Sequence, residues 1–286
     1  MNNAYKELEK KCFWNPSVGN INPLDIQQVC NPKFKIEKSD KIATYGSCFA
    51  QHIGKNLKQR NFDWLITEKA PEFISKELRE EYNYGVFSAR TGNIYTTTLL
   101  RQWIKNSINN QSIVEVWKKN NRYHDLFRPT IEPNGFSSEN ELIASIRHTE
   151  NCFKRSITNC NIFIFTLGLT ESWMNIENGF EYPISPGVAA GEFDPYKHIF
   201  INQNYQVVYN SLEESISELK KINKDIKIIL TVSPVPLVAT KTDKHILAAN
   251  TYSKSTLRAV AGDLANKLSY VEYFPSFEII NSHIFR

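Results

Sequence analysis

The sequence predicts an α/β protein built on a three-layer, doubly wound parallel sheet of about five strands, and three observations carry that prediction. Short apolar runs alternate with amphipathic helical patterns along most of the chain. The strongest run, Ile162-Phe-Ile-Phe-Thr-Leu167, is apolar at nearly every position, the pattern of a strand covered on both faces. Helical patterns fill several of the intervals between runs, as the crossovers of a parallel sheet require.

Ile42-Ala-Thr-Tyr45 is the first strand and meets Gly46, after which Phe49 to Arg60 places Phe49, His52, Ile53 and Leu57 at helical spacing. Phe62 to Thr67 is a second strand candidate. Ser138, with Glu141 three residues on, is the start signal of a helix to about Arg155. Ile162–Leu167 is the third strand, Leu212 to Ile222 a helix, Lys227 to Val232 the fourth strand, Ala248 to Leu268 a helix, and Tyr270 to Phe274 the last strand. Two stretches break this alternation, about 68–137 and about 172–207, the second carrying the turn-rich Pro183 to Pro195. They are read as insertions that build a lid or substrate wall over a single domain. Its core starts near residue 40, after an N-terminal extension over 1–39.

Composition narrows the function. The 286 residues carry 34 Lys+Arg against 30 Asp+Glu, with the charges interspersed, which gives no electrostatic footprint for nucleic acid. No apolar run reaches the roughly 18 residues of a bilayer span, and the N-terminus has no apolar signal core, so a cytoplasmic protein is expected. Cys12, Cys30, Cys48, Cys152 and Cys160 are odd in number and form no Cys-x-x-Cys, which fits a reduced compartment. No His-Glu-x-x-His pattern occurs, and Gly46 to Gly54-Lys55 lacks the spacing of a phosphate loop.

In a parallel sheet, ligands bind beyond the carboxyl ends of the strands. That rule selects Gly46-Ser47-Cys48-Phe49-Ala50, Gly168-Leu-Thr170-Glu171-Ser-Trp173, Ser233-Pro-Val-Pro236-Leu and Pro275-Ser-Phe-Glu278. A hydroxyl at Ser47 would sit at a strand-to-helix turn, beside backbone amides that lack intrahelical acceptors. It is either a nucleophile with an oxyanion site next to it or an N-cap. Cys48 is the alternative nucleophile, or a small packed residue.

The string Gly46-Ser-Cys-Phe-Ala50 resembles the signature of the GSCFA-domain family, grouped with the SGNH/GDSL-like esterases and acyltransferases. Gly85-Val-Phe-Ser-Ala-Arg-Thr-Gly-Asn-Ile-Tyr-Thr96, Thr166-Leu-Gly-Leu-Thr-Glu-Ser-Trp173, Thr231-Val-Ser-Pro-Val-Pro-Leu237, Tyr252-Ser-Lys-Ser-Thr-Leu-Arg258 and Tyr273-Phe-Pro-Ser-Phe-Glu278 resemble its later blocks, in order. The resemblance implies an SGNH/flavodoxin-like sheet with Ser47 as nucleophile. It implies an oxyanion hole from the Ser47 N–H, a glycine (Gly85, with Gly92-Asn93 as the alternative) and an amide. The amide position is Thr170 here, and Asn93 is a candidate to restore it. The Asp-x-x-His that supplies the superfamily's base is missing, and the chain ends at Arg286 where a final helix would follow. His283 has Ile280 rather than Asp three residues before it. His245, in His245-Ile-Leu-Ala-Ala249, is the first candidate for the base, with Asp243 or Glu171 to orient it. His52 is expected to pack or cap, and His124-Asp125, as neighbours in an extended segment, to point to opposite faces.

Arg90 and Arg258 are candidates to bind a carboxylate, a phosphate or sugar hydroxyls, and Trp173 to stack on a sugar ring. The implied activity is a serine esterase or O-acyltransferase on carbohydrate esters, such as surface-polysaccharide precursors, with no metal and no organic cofactor. Its alternatives are a non-catalytic carbohydrate-binding or scaffold protein on the same fold, and a module of a larger polysaccharide-assembly enzyme.

Overall fold

The computed structural model describes residues 3–109 and 115–281. Strand β1 (Ile42–Gly46) passes through Ser47 and Cys48 into helix α1 (Phe49–Gln59). A long excursion follows, with α2 (Lys76–Glu81), α3 (Thr97–Asn109) and a hairpin of β2 (Trp117–Lys119) and β3 (Arg122–His124). Helix α4 (Glu139–Asn159) returns the chain to β4 (Ile162–Leu167). A second excursion holds β5 (Glu171–Asn175), β6 (Glu181–Tyr182) and β7 (His198–Asn202). Then come α5 (Tyr205–Ile222), β8 (Lys227–Val232), α6 (Ile246–Lys267), β9 (Val271–Tyr273) and α7 (Ser276–Asn281).

The central sheet has four parallel strands in the order β1-β4-β8-β9. Side chains alternate between its faces, as strand geometry requires. Ala43, Tyr45, Phe163, Phe165, Ile228 and Leu230 enter the main core, where they meet Phe153 of α4, Leu212 of α5 and Leu257 of α6. Ile42, Ile162, Ile164 and Ile229 face the other way, against Ile53 and Leu57 of α1 and against Phe34 and Ile36. The apolar run of β4 is thus covered on both faces, as predicted. Truncating a ring such as Phe165, which is fully buried, costs ~3–5 kcal/mol in cores of this kind.

Phe34 and Ile36 come from the N-terminal extension, which therefore supplies part of the cover of this second face. Lys33 fastens the same segment to the sheet, donating from Nζ to Val271 O at 2.8 Å and from its amide to Glu272 at 2.7 Å.

The count of strands is corrected from about five to four. Phe62–Thr67 makes a single parallel bridge, Ile42 with Trp64, beside β1. Leu65 N reaches Ile42 O at 2.9 Å, but the next β1 amide, Thr44 N, is taken by the Ser88 hydroxyl at 3.0 Å. A side chain replaces the strand there, and Thr67 N turns away to Ser88 O. The Trp64 indole meanwhile packs where Gly54 leaves room for it and donates to Thr44 Oγ1 at 2.9 Å.

Ser138 caps α4 as its spacing predicts, accepting from Glu141 N at 3.2 Å, while Glu141 accepts from Ser137 N at 2.9 Å. The 172–207 stretch is more regular than its turn residues indicate: it forms a separate antiparallel sheet in the order β6-β5-β7. A six-residue helix, α7, follows β9. His283 lies outside the described residues. Among the described residues no helix is long and apolar enough to cross a membrane.

Candidate active site

The site begins with the close approach of β1 and β4. Gly46 ends β1 at φ +130°, where a Cβ would overlap the Thr166 backbone, so only glycine lets the chain pass and turn. Ser47 N then donates to Thr166 O at 3.0 Å, Ile94 N to Gly46 O at 2.9 Å, and Ala50 N to Ser47 O at 2.9 Å, which opens α1. These bonds fix the Ser47 backbone on three sides. Its side chain is 2% exposed, and among the described residues its hydroxyl has no hydrogen-bond partner. The hydroxyl is not used as a cap: α1 starts from Cys48 with no side-chain cap bond. A buried, unpaired hydroxyl is rare in folded proteins and calls for a reason.

Gly168, just past β4, forms the floor beside it. Its amide donates to Tyr95 O at 3.0 Å, and a Cβ on it would stand 3.0 Å from Ser47 Cβ. Lys254 of α6 reaches in and donates from Nζ to Gly168 O at 2.6 Å. Lys254 is 2% exposed, and burial pushes its ammonium down to about 8. A negative charge on Cys48 would act on the ammonium in the opposite direction.

Ser47, Cys48, Tyr95, Gly168 and Lys254 open into one cavity of about 590 Å³. Trp173 and Phe200 of the antiparallel sheet form one wall with Pro183 and Ile184, and Val235 to Lys241 after β8 form the other. Trp173 is braced by Phe193 and Phe200, with ring centroids at 5.3 and 5.7 Å. The 172–207 insertion is thus a cavity wall, whereas the 68–137 insertion contributes only Tyr95 among the residues named for this cavity.

The GSCFA family model matches residues 41–286, nearly the whole chain. The chain belongs to the GSCFA family. No curated protein matches it as a relative.

Within this GSCFA chain the structure brings together Ser47, Glu171 and Trp173, and it separates the other candidates from the cavity. His245 is exposed and caps α6, its Nδ1 accepting from Leu247 N at 3.2 Å. A ring turned to its own helix amides is not placed to serve Ser47, and Asp243 beside it is exposed too. Glu171 accepts from Thr240 Oγ1 at 2.6 Å and from Lys241 N at 3.4 Å, so it secures a wall loop rather than a histidine.

The oxyanion candidates are likewise committed elsewhere. Thr170 is fully buried behind the wall and donates its hydroxyl to Asn202 Oδ1 at 2.7 Å. Gly85 is exposed with open space around it; the loop that packs on the Ser47 turn is Gly92 to Tyr95, through Ile94 N. Asn93 lies in that loop, and its Oδ1 is buried without a partner among the described residues. The Ser47 amide is itself occupied by Thr166 O. The remaining donors next to the hydroxyl are the Cys48 and Phe49 amides, since Ala50 N and Gln51 N already donate to Ser47 O and Cys48 O.

Arg90 and Arg258 hold the fold together. Arg90 is buried, pairs with Glu132 at 2.9 Å and lies over the Tyr84 ring at 4.1 Å. Arg258 pairs with Glu278 and lies over Tyr273 at 3.9 Å, joining α6 to α7 and β9. His52 is exposed, and His124 in β3 is buried with its pKa lowered by desolvation.

Lys254 is the site residue that sequence reasoning missed. Its signal was present: it lies among Ala249, Ser253, Leu257 and Ala261, the positions of α6 that are buried. A lysine inside the apolar stripe of a helix is as informative as a missing histidine.

Proposed function

We propose that this protein is an SGNH-like serine esterase or O-acyltransferase that takes an acyl group from an ester onto Ser47. The observation that carries the reading is the Ser47 hydroxyl: buried, unpartnered among the described residues, backbone-fixed at a strand-to-helix turn, and facing a large cavity. Attack by Oγ on the ester carbonyl would place the developing oxyanion by the Cys48 and Phe49 amides at the start of α1, where the helix dipole favours negative charge. An alcohol leaves, and water or an acceptor hydroxyl then releases the acyl group from serine. The four-stranded parallel sheet with its site at the strand carboxyl ends supports the SGNH-like assignment.

Trp173 supports a carbohydrate as the alcohol part of the ester, because an indole held at a cavity wall offers an apolar face to a sugar ring. Ile184, Val235 and Leu237 in the walls are apolar and suit the acyl part. A binding protein on the same fold is the second reading, favoured by the engagement of the Ser47 amide and the Thr170 hydroxyl.

Labelling with a serine-directed fluorophosphonate, mapped by peptide mass spectrometry, separates the two. Modification at Ser47 that disappears in Ser47→Ala is the expected result. Glycan binding by a folded protein whose Ser47 stays unmodified would establish the binding reading instead.

A further inference from the structure

The proposed chemistry at Ser47 leaves one role without an occupant, since the histidine expected to take the serine proton caps α6 at the surface. One buried ionisable side chain reaches the floor of the cavity. Lys254 donates to Gly168 O at 2.6 Å, and Gly168 packs directly on Ser47. The two side chains therefore meet at one residue. Cys48, which follows Ser47 in the chain, is also close enough to act on the Lys254 ammonium electrostatically.

The surroundings of Lys254 separate it from an ordinary structural lysine. It is almost wholly buried, yet no carboxylate among the described residues lies within ion-pairing distance, and its hydrogen-bond acceptor is a neutral carbonyl. Buried charges in folded proteins are normally paired. Without a counter-charge the ammonium is held down to about 8, close enough to neutrality for a fraction of the amine to be free to accept a proton.

On the reading that Ser47 is the nucleophile, we infer that Lys254 is its general base, so that the site is a Ser-Lys dyad. The neutral Nζ takes the Oγ proton as Oγ bonds to the carbonyl carbon. The resulting ammonium returns that proton to the alkoxide when the ester C–O bond breaks, and an alcohol leaves. In the second half the amine takes a proton from water or an acceptor hydroxyl, and gives it to Ser47 Oγ as the acyl group departs. No metal ion and no third side chain enters this cycle. An amine can serve where imidazole is absent because its pKa has been brought down by desolvation alone.

Other titratable groups share the cavity and must be separated from the lysine. They are Cys48 at the start of α1, Tyr95 before α3, Glu171 on β5 and Lys241 after β8. Burial raises the Tyr95 pKa, away from the range in question. Glu171 and Lys241 are tied to each other through the Lys241 amide, at the outer end of the wall.

The test is the rate of fluorophosphonate labelling at Ser47 between about pH 6 and pH 10, in wild type, Lys254→Met, Lys254→Arg, Lys254→Ala and Cys48→Ala. Wild type and Cys48→Ala should show a rate that rises about tenfold per pH unit and levels off near the lysine pKa. Lys254→Met should lose the rise and label at least 100-fold more slowly, with thermal stability no lower than wild type. Lys254→Arg, whose guanidinium does not deprotonate, should be as slow. Lys254→Ala should regain part of the rate with added methylamine, which a purely structural lysine would not show. Equal rates in wild type and Lys254→Met would overturn the dyad and leave Ser47 as the nucleophile. A pH rise that vanishes in Cys48→Ala would also overturn it. No labelling of wild-type Ser47 at any pH would overturn both the dyad and the function it rests on.

Discussion

Two buried cations in this protein are treated in opposite ways. Arg128 is wholly buried and surrounded by partners: Asp125 at 2.6 Å, the Thr149 hydroxyl at 2.5 Å, Arg90 O at 3.2 Å and Ser145 at 3.2 Å. Lys254 is just as buried and has one neutral acceptor. The first arrangement is how a fold tolerates an interior charge, by neutralising it and filling its hydrogen-bonding capacity. The second retains a charge that the fold does not stabilise, next to a hydroxyl that the fold does not satisfy. Stability accounts for the first pair of residues. It does not account for Lys254 and Ser47, and both of them line the cavity.

Substitutions that remove each charge turn this contrast into opposite signs. Arg128→Met leaves Asp125 buried without its partner and should lower stability by ~3–5 kcal/mol, read as a fall in the denaturant midpoint. Lys254→Met should raise stability. A lysine whose folded pKa is lowered binds fewer protons folded than unfolded, so it destabilises at every pH below the folded value, and the penalty fades as pH rises towards the unfolded value. A pKa near 8 corresponds to a penalty of roughly 3 kcal/mol at neutral pH, reduced to about 2 by the lost bond to Gly168 O. The gain should shrink when the melt is repeated near pH 10. A destabilised Lys254→Met at pH 7 would place both cations in the same class.

Smaller effects sharpen the contrast on the serine side. Thr170→Val breaks the bond to Asn202 and should cost about 1 kcal/mol in a urea melt, while Ser47 keeps its reactivity towards the fluorophosphonate. Ser47→Ala removes a hydroxyl that bonds to nothing among the described residues, so its melting temperature should equal or slightly exceed that of wild type. His245→Ala loses an N-cap and should cost about 0.5 kcal/mol, with Ser47 labelling at the wild-type rate. A loss of labelling in His245→Ala would restore the histidine to the reaction.

Much of the sheet was legible because strands covered on both faces are written as continuous apolar runs, and β1, β4 and β8 follow that pattern. The Phe62–Thr67 run looks the same on paper, but whether it pairs along its length depends on Ser88, a residue distant in sequence that takes the β1 amide first. The second sheet was hidden by the Gly and Pro residues of its connections, which mark turns without showing what pairs between them. Within the site, Ser47, Glu171 and Trp173 were found through position relative to strand ends, which local pattern can give. His245 and Thr170 could not be judged that way, because a side chain's choice between the cavity and its own backbone or neighbours is made in three dimensions. Lys254 was legible as a lysine at a buried position of α6.

The glycine at the end of β1 divides the motif Gly46-Ser47 into letters of different kinds. Every other residue at position 46 would force β1 and β4 apart, so a descendant of this chain in which Ser47 had no chemical role would still be held to glycine there for as long as it folded this way. Nothing in the architecture holds position 47 to serine with comparable force. Where the proposed chemistry at Ser47 is not under selection, drift would reach the second letter while the first stood unchanged.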